Sequence, residues 1–163
     1  MEDIKMNKYE KAIKLMEEFC GNGKDNLIAL ATISLSPNAA DYPRPAVRMV
    51  DAYYEDGVFY VSSSSHKNKT KEIEKNNEVS ICGLDLFAAQ GTAENLGWVK
   101  DEKNAEIRGK MKKYFSWFDD HGNEESTDSI VLRITLKEGT ITDNEQKYGE
   151  WQYKVDFVNK TAE

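Results

Sequence analysis

Towards the end of the chain the residues alternate with the two-residue period of an extended strand. Ile130, Leu132, Ile134 and Leu136 are interleaved with Val131, Arg133, Thr135 and Lys137, and Trp151, Tyr153, Val155 and Phe157 with Gln152, Lys154 and Asp156. A period of two sends neighbouring side chains to opposite faces, so each segment has one face to bury and one that can meet water. The earlier chain repeats the theme in shorter pieces. Leu27 to Leu35 is a nearly continuous apolar run, and Pro37-Asn38, Pro43 and Pro45 break the chain before a second run, Ala46 to Tyr54. Glu55-Asp56-Gly57 supplies hairpin chemistry ahead of Val58 to Val61, and Glu78 to Leu84 and Phe87 to Leu96 add two more strands. Helical spacing is confined to Tyr9 to Phe19 (Tyr9, Ala12, Ile13, Met16, Phe19), a short Lys67 to Asn76, and Lys100 to Phe118 (Ile107, Met111, Tyr114, Phe115, Phe118). Gly21 and Gly23 stop the first of these. Six or seven strands joined mainly by short turns argue against β-α-β units and for an α+β chain, an antiparallel barrel or sandwich with packed helices.

The 163 residues show no break in composition, so residues 1–163 read as one domain, opened by a helix at 9–19 and closed by strands within 129–157. A net charge of −7 opposes a general attraction to nucleic acid or anionic membranes, and any anionic ligand has to be caught locally. Cys20 and Cys82 are too few and too far apart for a disulfide framework or a Cys-x-x-Cys site, and His66 and His121 lack a second metal ligand at the usual spacing. No signal peptide or apolar run of membrane-spanning length is visible, which makes the cytoplasm the expected location.

Two features carry chemistry. Ser62-Ser63-Ser64-Ser65 leads from a strand into the short helix, and Lys67, Lys69 and Lys71 follow before the first acid, Glu72. Free N–H groups, hydroxyls and ammonium groups at such a corner can cradle a phosphate, and an anion relieves the clash of cations with the positive end of a helix. A flexible serine loop before a solvated charged helix face is the other reading of the same residues. Arg48 shares a strand face with Ala46, Val50 and Ala52, and a guanidinium on an apolar face needs either a phosphate or a carboxylate such as Asp51 or Asp56. Asp119 to Glu125 reads as a polar surface loop despite His121, and no catalytic acid or base stands out.

Taken in order, Pro43-Arg44-Pro45-Ala46-Val47-Arg48-Met49-Val50, Phe59-Tyr60-Val61-Ser62-Ser63 and Lys67-Asn68-Lys69-Thr70-Lys71-Glu72-Ile73 resemble the pyridoxamine 5'-phosphate oxidase-like FMN-binding split barrels, and among these the small bacterial general stress proteins. The likeness runs from the first strand through Gly91-Thr92-Ala93-Glu94 and more loosely to the C-terminal strands. It implies an antiparallel split β-barrel with packed helices and a homodimer with FMN at the subunit interface. Arg48 and Lys69 or Lys67 would take the phosphate, with Ser62 and Ser63 at the serine corner. The backbone of Met49, Val50, Val61 and Ser62 would border the flavin, and Trp117 would stand near the flavin of the other chain, ordinary core packing being the other reading of that aromatic. Asn68 departs from the pattern's arginine, and the substrate-binding set and terminal motif of a true pyridoxamine-phosphate oxidase are missing. The expected function is a flavin-dependent oxidoreductase. A non-catalytic flavin-binding or stress-associated protein is the alternative, and a haem or deazaflavin binder a further one.

Overall fold

The computed structural model describes residues 5–21, 23–83 and 86–163. The strands are β1 (Asp25–Ile33), β2 (Pro45–Glu55), β3 (Val58–Ser64), β4 (Glu78–Gly83), β5 (Phe87–Trp98), β6 (Ser129–Thr142) and β7 (Gln152–Asp156), with a two-residue β8 (Thr161–Ala162) at the end, and their burial alternates except where the end of β2 and the start of β6 are buried on both faces. All pair antiparallel in the order β3-β2-β1-β4-β5-β6-β7-β8, and a further β3–β6 pairing closes the first six into a barrel. The inward set, including Leu30, Val50, Phe59, Val61, Ile81, Leu132 and Ile134, fills the interior.

Local chemistry explains the joints. Asp56 and Gly57 both take positive φ (48° and 77°), the geometry of a tight two-residue hairpin turn between β2 and β3. β5 and β6 are long and must bend, and their register shifts between Gln90 and Gly91. A Cβ on Gly91 would lie 2.1 Å from the Thr135 carbonyl oxygen, so glycine permits that close crossing.

Helix α1 (Lys8–Cys20) starts from an Asn7–Glu10 capping box and packs across β2, β6, β7 and β8. It buries Ala12, Leu15, Met16 and Cys20, while Phe19, expected on the apolar stripe, is exposed. Helix α2 (Asn68–Lys75) plugs the barrel against β1 and β5, burying Thr70, Glu72 and Ile73. The expected single helix from Lys100 to Phe118 is broken. A 3-10 turn (Glu102–Asn104) leads into α3 (Ala105–Tyr114), Phe115 is extended, and a one-turn α4 (Phe118–His121) follows. The apolar stripe is nevertheless buried: Ile107, Met111, Phe115 and Phe118 form an outer core with Tyr53, Val99 and Val131.

Two further expectations are corrected. The serine run is not a loop leaving a strand, because Ser62, Ser63 and Ser64 lie in β3 opposite Val131, Ile130 and Ser129. Asp119 to His121 falls in α4 rather than in a loop, and Glu124 is tied down by Arg108 at 2.7 and 2.9 Å. The last residue of the expected strand Glu78 to Leu84, Leu84, lies outside the described residues.

Candidate functional site

The barrel is closed on one side of β3 and parted on the other. β2 and β3 are paired only at Tyr53–Tyr60, Tyr54–Phe59 and Glu55–Val58, next to their hairpin. β2 continues against β1 as far as Pro45–Ile33, and β3 continues against β6 as far as Ser64–Ser129. Among the described residues, the facing edges of Arg48 to Ala52 and of Val61 to Ser64 therefore have no ladder partner. Strand edges of this kind present N–H and C=O groups that need water, a ligand or another chain. The gap is the split that the sequence comparison implies, and Met49, Val50, Val61 and Ser62 all border it.

Side chains along the gap follow the strand period. Val50 and Val61 point into the core, so only their backbone is available to a ligand, while Met49 lies on the outer face and is exposed. Arg48 lies on the inward face, as expected, but it is neither unpaired nor joined to Asp51 or Asp56. Its Nη2 donates to Glu72 Oε2 at 2.7 Å and its Nη1 to Thr32 Oγ1 at 2.5 Å. The Thr32 hydroxyl in turn donates to the same Glu72 oxygen at 2.5 Å, closing a triangle between β1, β2 and α2. Glu72 is nearly buried, with 5% of its side chain exposed against 24% for Arg48. Within the described residues the Nε of Arg48 has no partner.

Arg48, His66, Lys67, Asn68 and Lys69 line an open hollow of about 390 Å³ at the start of α2. Lys67 is the N-cap and offers no side-chain cap to the helix. Lys69 is half-buried, and its ammonium group is held below the usual lysine range, first by burial and then by the charges of Arg48 and Lys67. Three cations thus line a hollow that has no carboxylate among its lining residues, with Glu72 bonded to Arg48. That imbalance suits an anion carrying more than one charge.

Three of the four serine hydroxyls are already engaged. Ser63 meets Thr70 Oγ1 at 3.3 Å, Ser64 accepts from the His66 N–H at 3.3 Å, and Ser65 donates to Asp128 at 2.6 Å. His66 Nε2 lies 2.9 Å from the other oxygen of Asp128. Serine and histidine converge on one carboxylate and not on each other, so this cluster clips the β3–α2 corner to the turn before β6 and is no nucleophilic relay. Trp117 is apart from the hollow. Its Nε1 donates to Asp51 Oδ2 at 2.9 Å and its ring stacks on Phe115, on the outward side of β2. Sequence reading missed the roles of Glu72, Thr32 and Asp128, and it weighed Asp51 as a partner of Arg48 where the structure gives it to Trp117. Among these Glu72 carried a signal, as the first acid after three lysines.

A larger groove of about 870 Å³ crosses the outer sheet face between Ala29, Ser80, Cys82, Ala88, Thr140 and Lys154. It has no comparable cluster of cations, and we place the candidate site at the split.

Comparison with known proteins agrees with this architecture. The pyridoxamine 5'-phosphate oxidase family profile matches residues 15–143. Among solved structures, a putative pyridoxamine 5'-phosphate oxidase from Listeria innocua aligns with a TM-score of 0.55 at 17% identity over 82% of this chain and 96% of its own. General stress protein 26 from Bacillus anthracis aligns at 0.52 and 17% over 82% and 92%. The haem storage protein HutZ from Vibrio cholerae aligns at 0.56 and 21% over 81% and 92%. These likenesses establish the fold. No curated protein sequence matches.

Proposed function

This chain belongs to the pyridoxamine 5'-phosphate oxidase family, and from that premise we propose that it binds FMN in the split between β2 and β3 and acts as a flavin-dependent oxidoreductase. The observation that carries the proposal is the hollow at the end of the split, which Arg48, Lys67 and Lys69 line with no carboxylate among the lining residues, Glu72 answering Arg48. A phosphate monoester matches that surplus of positive charge, and the unpaired strand edges beyond it suit a planar polar ring system.

FMN, when bound, supplies the electron-transfer chemistry, and the protein supplies binding, orientation and access. Arg48 offers the one edge of its guanidinium left free by Thr32 and Glu72, and the two lysines offer ammonium groups from the first turn of α2. The exposed edges at Met49, Val50, Val61 and Ser62 offer backbone donors and acceptors. Exposed Leu27, Val47 and Met49 lie on the outer face of β1 and β2 with Ala29 and Ala31 between them, an apolar patch that a second copy of the chain would cover in a homodimer.

The test is a titration with FMN and with riboflavin, which lacks the phosphate. Arg48→Ala is expected to weaken FMN about a hundredfold and the double change Lys67→Ala, Lys69→Ala about tenfold, with riboflavin unchanged. Equal FMN affinity across all three proteins would reject the phosphate assignment. The absorption spectrum of freshly purified protein separates FMN from haem, and NAD(P)H consumption with quinone or nitroaromatic acceptors separates an enzyme from a flavin carrier.

A further inference from the structure

We propose that Glu72 is a built-in counter-anion at the phosphate end of the site: it holds Arg48 in its receiving orientation and, through its charge, keeps the phosphate exchangeable. The inference rests on the anion site proposed above and concerns a residue outside the set that would touch the ligand.

The geometry points to both halves of this role. Nη1 of Arg48 is held by Thr32 and Nη2 by Glu72, while Thr32 bridges to the same Glu72 oxygen. A guanidinium fixed in this way cannot swing, and with the second hydrogen of Nη1 turned to the Ala46 carbonyl at 3.5 Å the donors left over are Nε–H and the second hydrogen of Nη2. These lie side by side and form the fork that a phosphate accepts bidentately. Three elements brought together from distant parts of the sequence thus serve to aim one side chain at the hollow. Glu72 is also nearly buried, so its negative charge is weakly screened where a dianion would arrive. An apolar residue packed at that position of α2 would leave the cations free to hold phosphate more strongly. The carboxylate therefore opposes the ligand that its own hydrogen bonds help to receive. Such a residue favours a protein that takes up and releases its phosphorylated ligand over one that retains it.

Two variants separate the halves. Glu72→Gln keeps an oxygen that can accept from Arg48 and Thr32 but removes the charge. Thr32→Val keeps the charge and removes the tether. The probe is inorganic phosphate, followed through the backbone amide signals of Asn68 and Lys69 and the Nε–H signal of Arg48 in proton–nitrogen correlation spectra of the folded, full-length chain. Glu72→Gln is expected to tighten phosphate about tenfold. Thr32→Val is expected to weaken it about fivefold. A merely structural role would move both variants in the same direction. Phosphate binding no tighter in folded Glu72→Gln than in the wild type overturns the proposal, as does a phosphate titration that leaves the Arg48 Nε–H signal unmoved. FMN measured in parallel keeps the two readings apart. If phosphate tightens in Glu72→Gln while FMN does not bind the wild type, the FMN reading fails and the role of Glu72 stands. If the wild type binds neither, both fall. Where FMN does bind, its dissociation rate should drop in Glu72→Gln in proportion to the gain in affinity.

Discussion

Cys20 and Cys82 carry the same thiol in opposite surroundings, and their reactivity should differ accordingly. Cys20 is buried at the C-terminal end of α1, where desolvation pushes its pKa up to about 12, whereas Cys82 is exposed on β4. Native protein treated with excess alkylating reagent near neutral pH is expected to gain one adduct, at Cys82, by mass spectrometry, and a second only in denaturant. Rapid labelling of Cys20 in the native state would contradict its burial. Single residues also mark how far sequence alone reaches. That Arg48 faces inward was legible, because the strand period decides it. Its partner was not, because Glu72 comes from α2, and only the folded barrel end brings α2 over β1 and β2. Local alternation carries no record of such a meeting. The partners of the serine hydroxyls were hidden for the same reason, since Thr70 and Asp128 claim two of them through contacts that local alternation does not record.

Elements were legible where a period persists and obscure where packing interrupts it. The stripe from Ile107 to Phe118 correctly marked buried side chains but suggested one helix. The extended Phe115 (φ −93°, ψ 100°) ends α3, and both Phe115 and Phe118 are still buried. The connection that follows is secured by charge. Arg108 and Lys112 hold the Glu124 carboxyl down to about 2, with the Arg108 hydrogen bonds the largest cause, and the Glu124 carbonyl accepts from Trp98 Nε1 at 3.0 Å. A carboxyl lowered in the folded state stabilises the fold above the ordinary glutamate range and loses that contribution as pH falls towards about 2. Glu124→Gln is expected to cost about 1 kcal/mol at neutral pH, with the gap to wild type closing as the pH is lowered. Thermal unfolding of both proteins across that range, read by tryptophan fluorescence, checks it. A gap independent of pH would assign the effect to packing alone.

At the scale of the whole molecule the antiparallel barrel follows from the number of strands and the scarcity of helices, and sequence order supplied the likeness that named its family. The two-residue β8 escaped notice because so short a segment has no period. The gap between β2 and β3 is invisible locally, since both strands read as regular extended runs. Their parting depends on β3 turning to β6. The apolar outer patch carries a prediction of its own. Light scattering is expected to report twice the 18.6 kDa chain mass, and Met49→Glu, placing a charge in the patch, should shift the protein to single chains without loss of fold. A wild-type protein that is monomeric at micromolar concentration would sink the two-chain arrangement.

The closing pair of the barrel sets the tempo of folding. Val58 at the start of β3 meets Thr135, and Ser64 meets Ser129, so the seam joins parts of the chain that leave the ribosome far apart in time. The hairpin of β2 and β3 forms early and locally, and then waits with one edge unclaimed until β6 has been synthesised. Contacts so distant in sequence slow the search for the native state. The nascent chain is therefore most vulnerable to chaperone capture or misassociation between completion of the first hairpin and arrival of Ser129 to Thr135.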